Sequence, residues 1–363
     1  MMRHTASVAP DGERNQRLEW VDIAKGICIM LVVLMHSALG VEKVGGQPAW
    51  LHGFIDWAQP FRMPDFFLIS GLFLAARIDR PWARYLDSKV LHFAYFYVLW
   101  YNIQFLLRVP GLVADSGIEA TAALYLSKYV QPFGTLWFIY LLAVFFIAAK
   151  LIHRVPQAAV LAVATVLHLA APQTGSIVID EFTERFVFFY MGYALAGVVM
   201  AYAEQLRRWP VVPIAASLLA WAAINGLAVA SGIAKLPGLD LVVSIVGIGA
   251  VVATSVLLAR SPVSAGMAYC GRNSIVIYLA FTLFMAPVRS VLLHLLGPQH
   301  GDVIGIVVAA ASIAGALALH RLVGSTPLRS LFVRPRWCRI TPVPAGSVRG
   351  GGIASTRLRF LQH

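Results

Sequence analysis

Acidic side chains are scarce in this chain. Only 17 Asp and Glu stand against 29 Lys and Arg, and charged residues of all kinds make up 13% of the 363. Soluble domains carry about 25%, so a fold surrounded wholly by water is excluded. Hydrophobic residues fill 59% of the sequence, and lipid is the solvent that suits them. Cysteine is equally short. Cys28, Cys270 and Cys338 are too few and too scattered for a disulfide framework or a metal site, and no metal is expected. The net charge of +12 comes without a basic stripe interleaved with aromatics, which argues against nucleic acid as a partner. No internal repeat points to an inverted-repeat transporter. The first residues, MMRHTASVAPDGERNQRLEW, are polar. A signal peptide would place its apolar region earlier, so the first apolar run reads as a retained helix.

Long apolar runs are what the chain has instead. They fall at roughly 23–41, 60–77, 90–108, 134–152, 157–171, 183–201, 210–230, 240–259, 273–294 and 303–323. About 20 residues of helix cross the hydrocarbon; the 157–171 run, between Pro156 and Pro172, is the shortest fit. The expected fold is an all-α integral membrane protein of about ten transmembrane helices, with both termini cytoplasmic. The distribution of Lys and Arg favours that count. One side would hold Arg3, Arg14 and Arg17, then Arg77, Arg80, Arg84 and Lys89, then Lys150 and Arg154, Arg207 and Arg208, Arg260 and Arg272. The Arg-rich tail falls on that side too. The opposite loops hold only Lys43, Arg108, Lys128 and Lys235. The expected organisation is an N-terminal cytoplasmic segment (1–21), a membrane domain (22–323) and a basic cytoplasmic tail (324–363). The tail's Arg, Gly, Pro and Ser content predicts disorder near anionic headgroups.

Ionisable side chains inside spans are costly and mark function by default. Candidates are Lys25, His36, Arg62, Asp65, His92, His168, Arg185, Arg289 and His294. Lys25 and His36 stand eleven residues apart. That is three turns plus about 20°, so both share one helical face about 16 Å apart. A cation suits phosphate groups, and a neutral imidazole suits general-base work. The plain alternative is a snorkelling lysine and a histidine that joins helices. Arg62 and Asp65 can pair at i,i+3, as a structural bridge or as a polar pocket wall; Pro64 and Ser70-Gly71 lie on the same run. Arg84 and Lys89 could hold phosphates of a nucleotide-type donor or simply anchor a loop. Trp137 suits an interfacial belt or a pocket wall. Glu181, Glu184, Arg185 and Arg289 fall at a depth similar to His36.

At these residues the chain resembles the bacterial membrane-bound acyltransferase family 3, which includes O-acetylases of surface polysaccharides. The family opens with an aspartate, an Arg-Gly pair and a histidine, with ten residues between the arginine and the histidine. Asp22, Lys25-Gly26 and His36 match, with Lys replacing Arg. Pro64, Phe66, Phe67, Ser70 and Gly71 match its second-helix signature. Arg84 to Lys89, Leu136-Trp137-Phe138, Arg185 to Tyr193, and Asn273-Ser274 with Ile277-Tyr278 resemble its later motifs. Family members often carry a histidine soon after that tyrosine; Ala280 and Phe281 stand here.

The resemblance covers about residues 20–320 and implies a multi-pass protein of the bacterial inner membrane. It implies an acyl-CoA co-substrate, acetyl-CoA in the first instance, and no bound cofactor. Lys25, Arg84 and Lys89 would hold the donor. His36 would act as general base or transient acyl carrier. Arg62, Asp65, Ser70, Trp137, Arg185 and Tyr278 would form the pocket for a glycan or lipid-linked sugar hydroxyl. Two rivals remain. A secondary transporter or exporter would use His36 and Asp65 as a proton relay. An inactive relative would bind glycan or lipid without CoA.

Overall fold

The computed structural model describes residues 11–45 and 50–340, with side chains from Glu19 onward. Arg3, Arg14, Arg17 and the tail arginines beyond 340 therefore lie outside the described side chains. Among the described residues the chain is all helix and turn. The α-helices are α1 (Asp11–Gly45), α2 (Trp50–Leu72), α3 (Trp82–Tyr85), α4 (Leu91–Leu106), α5 (Val109–Ser127), α6 (Trp137–Leu151) and α7 (Gln157–Ala170). They continue with α8 (Ile177–Ala194), α9 (Ala196–Arg208), α10 (Val211–Ala230), α11 (Leu239–Leu258), α12 (Ser264–Arg272), α13 (Ser274–Leu296) and α14 (Gly301–Val323). A π-turn, Leu86–Val90, joins α3 to α4.

Among the described residues, six stretches are long and apolar enough to cross a membrane: Glu19–Gly45, Gly134–Leu151, Val211–Ala230, Leu239–Leu258, Ser274–Leu296 and Pro298–Val323. Two broken pairs raise the number to eight if each is one crossing. Trp82–Leu106 turns by 88° into α5, and α8 turns by 71° into α9. The run expected at 183–201 is thus two helices, broken at Leu195, whose backbone leaves the helical region (φ −104°, ψ 18°). The run expected at 60–77 belongs to a helix that starts earlier and stops at Leu72. α7 has 14 residues, about 21 Å of helix.

α1 is the hub. It packs against α2, α11, α12, α13 and α14. Its contact with α12 is close enough that backbone meets backbone. A Cβ on Gly26 would strike the Met267 carbonyl oxygen, and one on Gly271 would strike that of Asp22. The glycine that follows Lys25 is therefore a packing requirement. α2 and α8 meet in the same way. A Cβ on Gly71 would run into the Phe189 carbonyl, and one on Gly192 into that of Leu68. Small residues let membrane helices approach and gain dispersion contacts that lipid cannot supply. Around this seam Phe67, Phe145, Phe146, Phe189 and Tyr190 are fully buried. Phe145 makes ring contacts with Phe67 and Phe189 at 5.1 and 5.4 Å.

α2 carries Pro60 and Pro64 inside the helix. Proline has no N–H, so the carbonyl four residues earlier loses its partner. For Pro64 that carbonyl is Pro60's, and Ser244 Oγ on α11 donates to it at 2.6 Å. The freed carbonyl is thus paired by a second helix.

Residues 324–340 depart from the expected unstructured tail. They form two short 3-10 turns, Pro327–Leu331 and Arg336–Cys338, and bury Phe332 and Arg334. Aromatic and hydrogen-bonding side chains on α4 hold them: Trp100 Nε1 donates to the Leu331 carbonyl at 2.8 Å and Tyr95 to that of Ser330 at 2.9 Å. The remainder, 341–363, lies outside the described residues.

Replacing Gly71 or Gly192 by alanine drives a methyl group into a facing backbone. Each variant is expected to lose about 1–3 kcal/mol of stability, read as a lower thermal midpoint in detergent. Unchanged midpoints for both would show that α2 and α8 do not meet this closely.

Candidate functional site

Lys25 and His36 lie on one continuous helix, as their spacing requires. At the Lys25 end, its ammonium is 4.0 Å from Asp22, which also has Arg272 at 3.8 Å. The same ammonium lies 5.8 Å from the centre of the Phe73 ring. Lys89, on the π-turn, sits 4.8 Å above the Phe146 ring. The cations that act on it are Arg77, Lys25 and Arg80. Arg84 is exposed and is not among them. Of the residues expected on the donor side, Lys25 and Lys89 lie within electrostatic reach of each other; Arg77 and Arg80 also reach Lys89.

The loop bearing Arg77 and Arg80 is held from below. Lys150, buried at the end of α6, donates to the carbonyls of Ile78 and Arg80, the latter at 3.0 Å. Its ammonium also lies 5.5 Å from the Trp82 ring and 5.4 Å from that of Tyr85. In the sequence Lys150 looked like one more interfacial marker. The signal for its real place is that it stands one residue inside an apolar run, AAKL, rather than after it.

At the other end the His36 ring packs against Phe281, centroids 5.6 Å apart. Phe281 occupies the stretch where family members often carry a histidine. Arg62 on α2 acts electrostatically on both His36 and Arg185. Arg289 of α13 rests against Gly40, one turn beyond His36. Arg185 pairs with Glu181 and, at 3.2 Å, with Glu184. Its guanidinium lies 5.3 Å from the centre of the Trp137 ring. His36, Arg62, Arg185 and Trp137 thus form one neighbourhood.

Arg62 and Asp65 do not pair. Asp65 is completely buried, and its Oδ2 accepts a hydrogen bond from Cys28 Sγ at 2.7 Å. The i,i+3 expectation considered only their own helix; Cys28 on α1 takes the Asp65 carboxylate instead. Arg62 Nε and Nη1 and Asp65 Oδ1 make no hydrogen bond within the protein.

Two expected pocket residues are committed elsewhere. Ser70 Oγ donates to the Phe66 carbonyl of its own helix at 2.8 Å. Tyr278 Oη donates to the Thr135 carbonyl. It ties down the turn just before α6, where Trp137 stands, and so acts on the pocket through Trp137. His168 is a tie between helices: its ring nitrogens lie 2.6 Å from the Glu184 carbonyl and 3.0 Å from Asp240.

A family model described as an acyltransferase domain matches residues 18–321. The chain is 25% identical over 163 residues to the inner membrane protein YcfT of Escherichia coli, a match that covers 39% of this chain and 45% of that protein. The match therefore spans less than half of that relative's length. No solved structure matches.

Tyr278→Phe removes the donor to Thr135 and leaves that buried carbonyl unsatisfied. A loss of about 1–3 kcal/mol is expected, seen as a lower thermal midpoint, with a shift in Trp137 fluorescence against a Trp137→Phe control. A normal midpoint and an unchanged spectrum would show that this tie does not hold the start of α6.

Proposed function

The chain belongs to acyltransferase family 3, and from that membership we propose that it is a membrane O-acyltransferase that moves an acyl group from cytosolic acyl-CoA to a hydroxyl of a glycan or lipid-linked sugar. The observation that carries this reading is the stripe on α1. One end gathers Lys25 with Lys89, Arg77 and Arg80, a cation set suited to the phosphates of coenzyme A. The other end presents His36, about 16 Å along the same helix. An extended pantetheine arm is of that order of length.

In this reading the thioester carbonyl reaches His36. The imidazole takes the proton of the acceptor hydroxyl as its oxygen attacks that carbonyl. The carbon–sulfur bond then breaks, and the leaving thiolate recovers the proton from His36. General-base help of this kind contributes about 10²–10⁴ in rate. Phe281, not a second imidazole, packs against the ring, and His36 itself takes the role of base. A sugar acceptor brings several hydroxyls, and the uncommitted atoms of Arg62 and Asp65 are partners for them. Trp137 and Arg185 complete that wall. The transporter reading needs a relay between His36 and Asp65, whereas the contact Asp65 makes is with Cys28.

The finer topology goes with this proposal. The six apolar spans, the two broken pairs, α7 and the kinked α2 together make ten crossings. Both termini then fall on the cytoplasmic side of the inner membrane, with the basic loops.

Acetyl-CoA binding to purified protein tests the donor side. Wild type is expected to bind saturably. Lys25→Ala should weaken binding by about tenfold, as for one charge-assisted contact. His36→Ala should bind normally yet transfer nothing. A folded His36→Ala protein with full transferase activity would remove the central residue of the proposal.

A further inference from the structure

The π-turn that carries Lys89 is held from two sides. On one side Tyr85 Oη donates to the Phe146 carbonyl at 2.7 Å, and Lys89 lies over the Phe146 ring. On the other is the strap formed by residues 326–340. Arg334 Nη2 donates to Asp87 Oδ1 at 2.8 Å, and the Ile340 N–H donates to the same oxygen at 2.9 Å. Asp87 and Arg334 are both buried. Two residues apart on a helical turn, Asp87 and Lys89 point to opposite sides. The strap therefore grips the back of the turn whose front presents Lys89.

The grip is not a single chance contact. Tyr95 and Trp100 bind the strap's carbonyls along α4. Phe332 packs its ring 5.5 Å from that of Trp100 and 5.2 Å from that of His320. The strap is thus docked along α4 before it reaches Asp87. A π-turn is an irregular register, found as single turns inserted in α-helices and often at functional sites. Relaxing it to an α-helix would rotate Lys89 relative to Lys25, Arg77 and Arg80.

We propose that Arg334 is a positioning residue for the acyl donor: by clamping Asp87 it fixes the π-turn and so aims Lys89 into the cation cluster with Lys25, Arg77 and Arg80. This rests on the donor reading given above. Arg334 touches no substrate; it acts through Asp87 on the direction of one ammonium.

A double-mutant cycle with acetyl-CoA as the probe tests it. Binding would be measured by titration calorimetry on wild type, Arg334→Gln, Lys89→Ala and the double variant, with thermal melts to confirm folding. Arg334→Gln and Lys89→Ala are each expected to weaken binding by about tenfold, within the range for coupled neighbours. The double variant should bind no worse than Lys89→Ala alone, and Arg334→Lys should recover most of the affinity. If Arg334→Gln binds like wild type, or weakens the Lys89→Ala background as much as it weakens wild type, the positioning role is wrong. Should Arg334→Gln fail to fold, Tyr95→Phe decides, since it loosens the strap without stranding a buried charge. Weaker acetyl-CoA binding by that variant supports the proposal, and unchanged binding overturns it. A folded wild type that binds no acetyl-CoA would instead overturn the donor reading, and this inference with it.

Discussion

In hydrocarbon a backbone carbonyl or N–H without a partner has no water to turn to. Several departures from regular helix here are accordingly matched by a side chain from elsewhere in the chain. Pro64 strips Pro60 of its helical partner, and Ser244 supplies another. The turn before α6 leaves the Thr135 carbonyl open, and Tyr278 takes it. The loop after α2 turns out of the helix, and Lys150 takes two of its carbonyls. The strap beyond α14 is irregular, and Tyr95 and Trp100 bind it. These polar ties cluster around the segments that bear Arg77, Arg80, Lys89, Trp137 and Arg334. Irregular backbone and candidate chemistry occur together because each break needs a polar partner, and polar partners are what a site is made of.

Local periodicity carried part of this. The shared face of Lys25 and His36 is legible because helical geometry alone decides it. The short motifs that carry the family resemblance were legible as a pattern without a cause. The structure supplies the cause for several of them. Gly26, Gly71 and Gly192 are places where two backbones touch, and Tyr278 ties down the turn before α6. A motif of small and aromatic residues is, in these positions, a record of how helices approach.

What sequence could not give depended on partners far along the chain. Arg62 and Asp65 are three apart, so a local rule joins them. Cys28, 37 residues away, takes Asp65 instead, while Arg62 faces the like charge of Arg185. Lys150 and Arg334 looked like charges that mark a membrane face, because hydropathy assigns a lysine or arginine no partner. Their burial follows from carbonyls and a carboxylate 70 or more residues distant. The irregular strap gave no periodic signal, since 3-10 turns of three to five residues are too short to show one.

The two ends of α1 differ in how they are built. The His36 end is framed by α2 and α13. The cations of the Lys25 end all come from residues 25 to 89, and the strap with Arg334 and Ile340 is the last segment to reach them. Synthesis runs from the N-terminus, and segments fold as they emerge. The cation cluster therefore exists in a nascent chain long before the arginine that locks it has been made. Some 245 residues separate Lys89 from Arg334, and all of the crossing helices lie between them or before them. The strap can close only over a bundle already inserted and packed, which makes its docking the last step of assembly. A chain that stops after α14 would hold every crossing helix and still carry an unlocked turn.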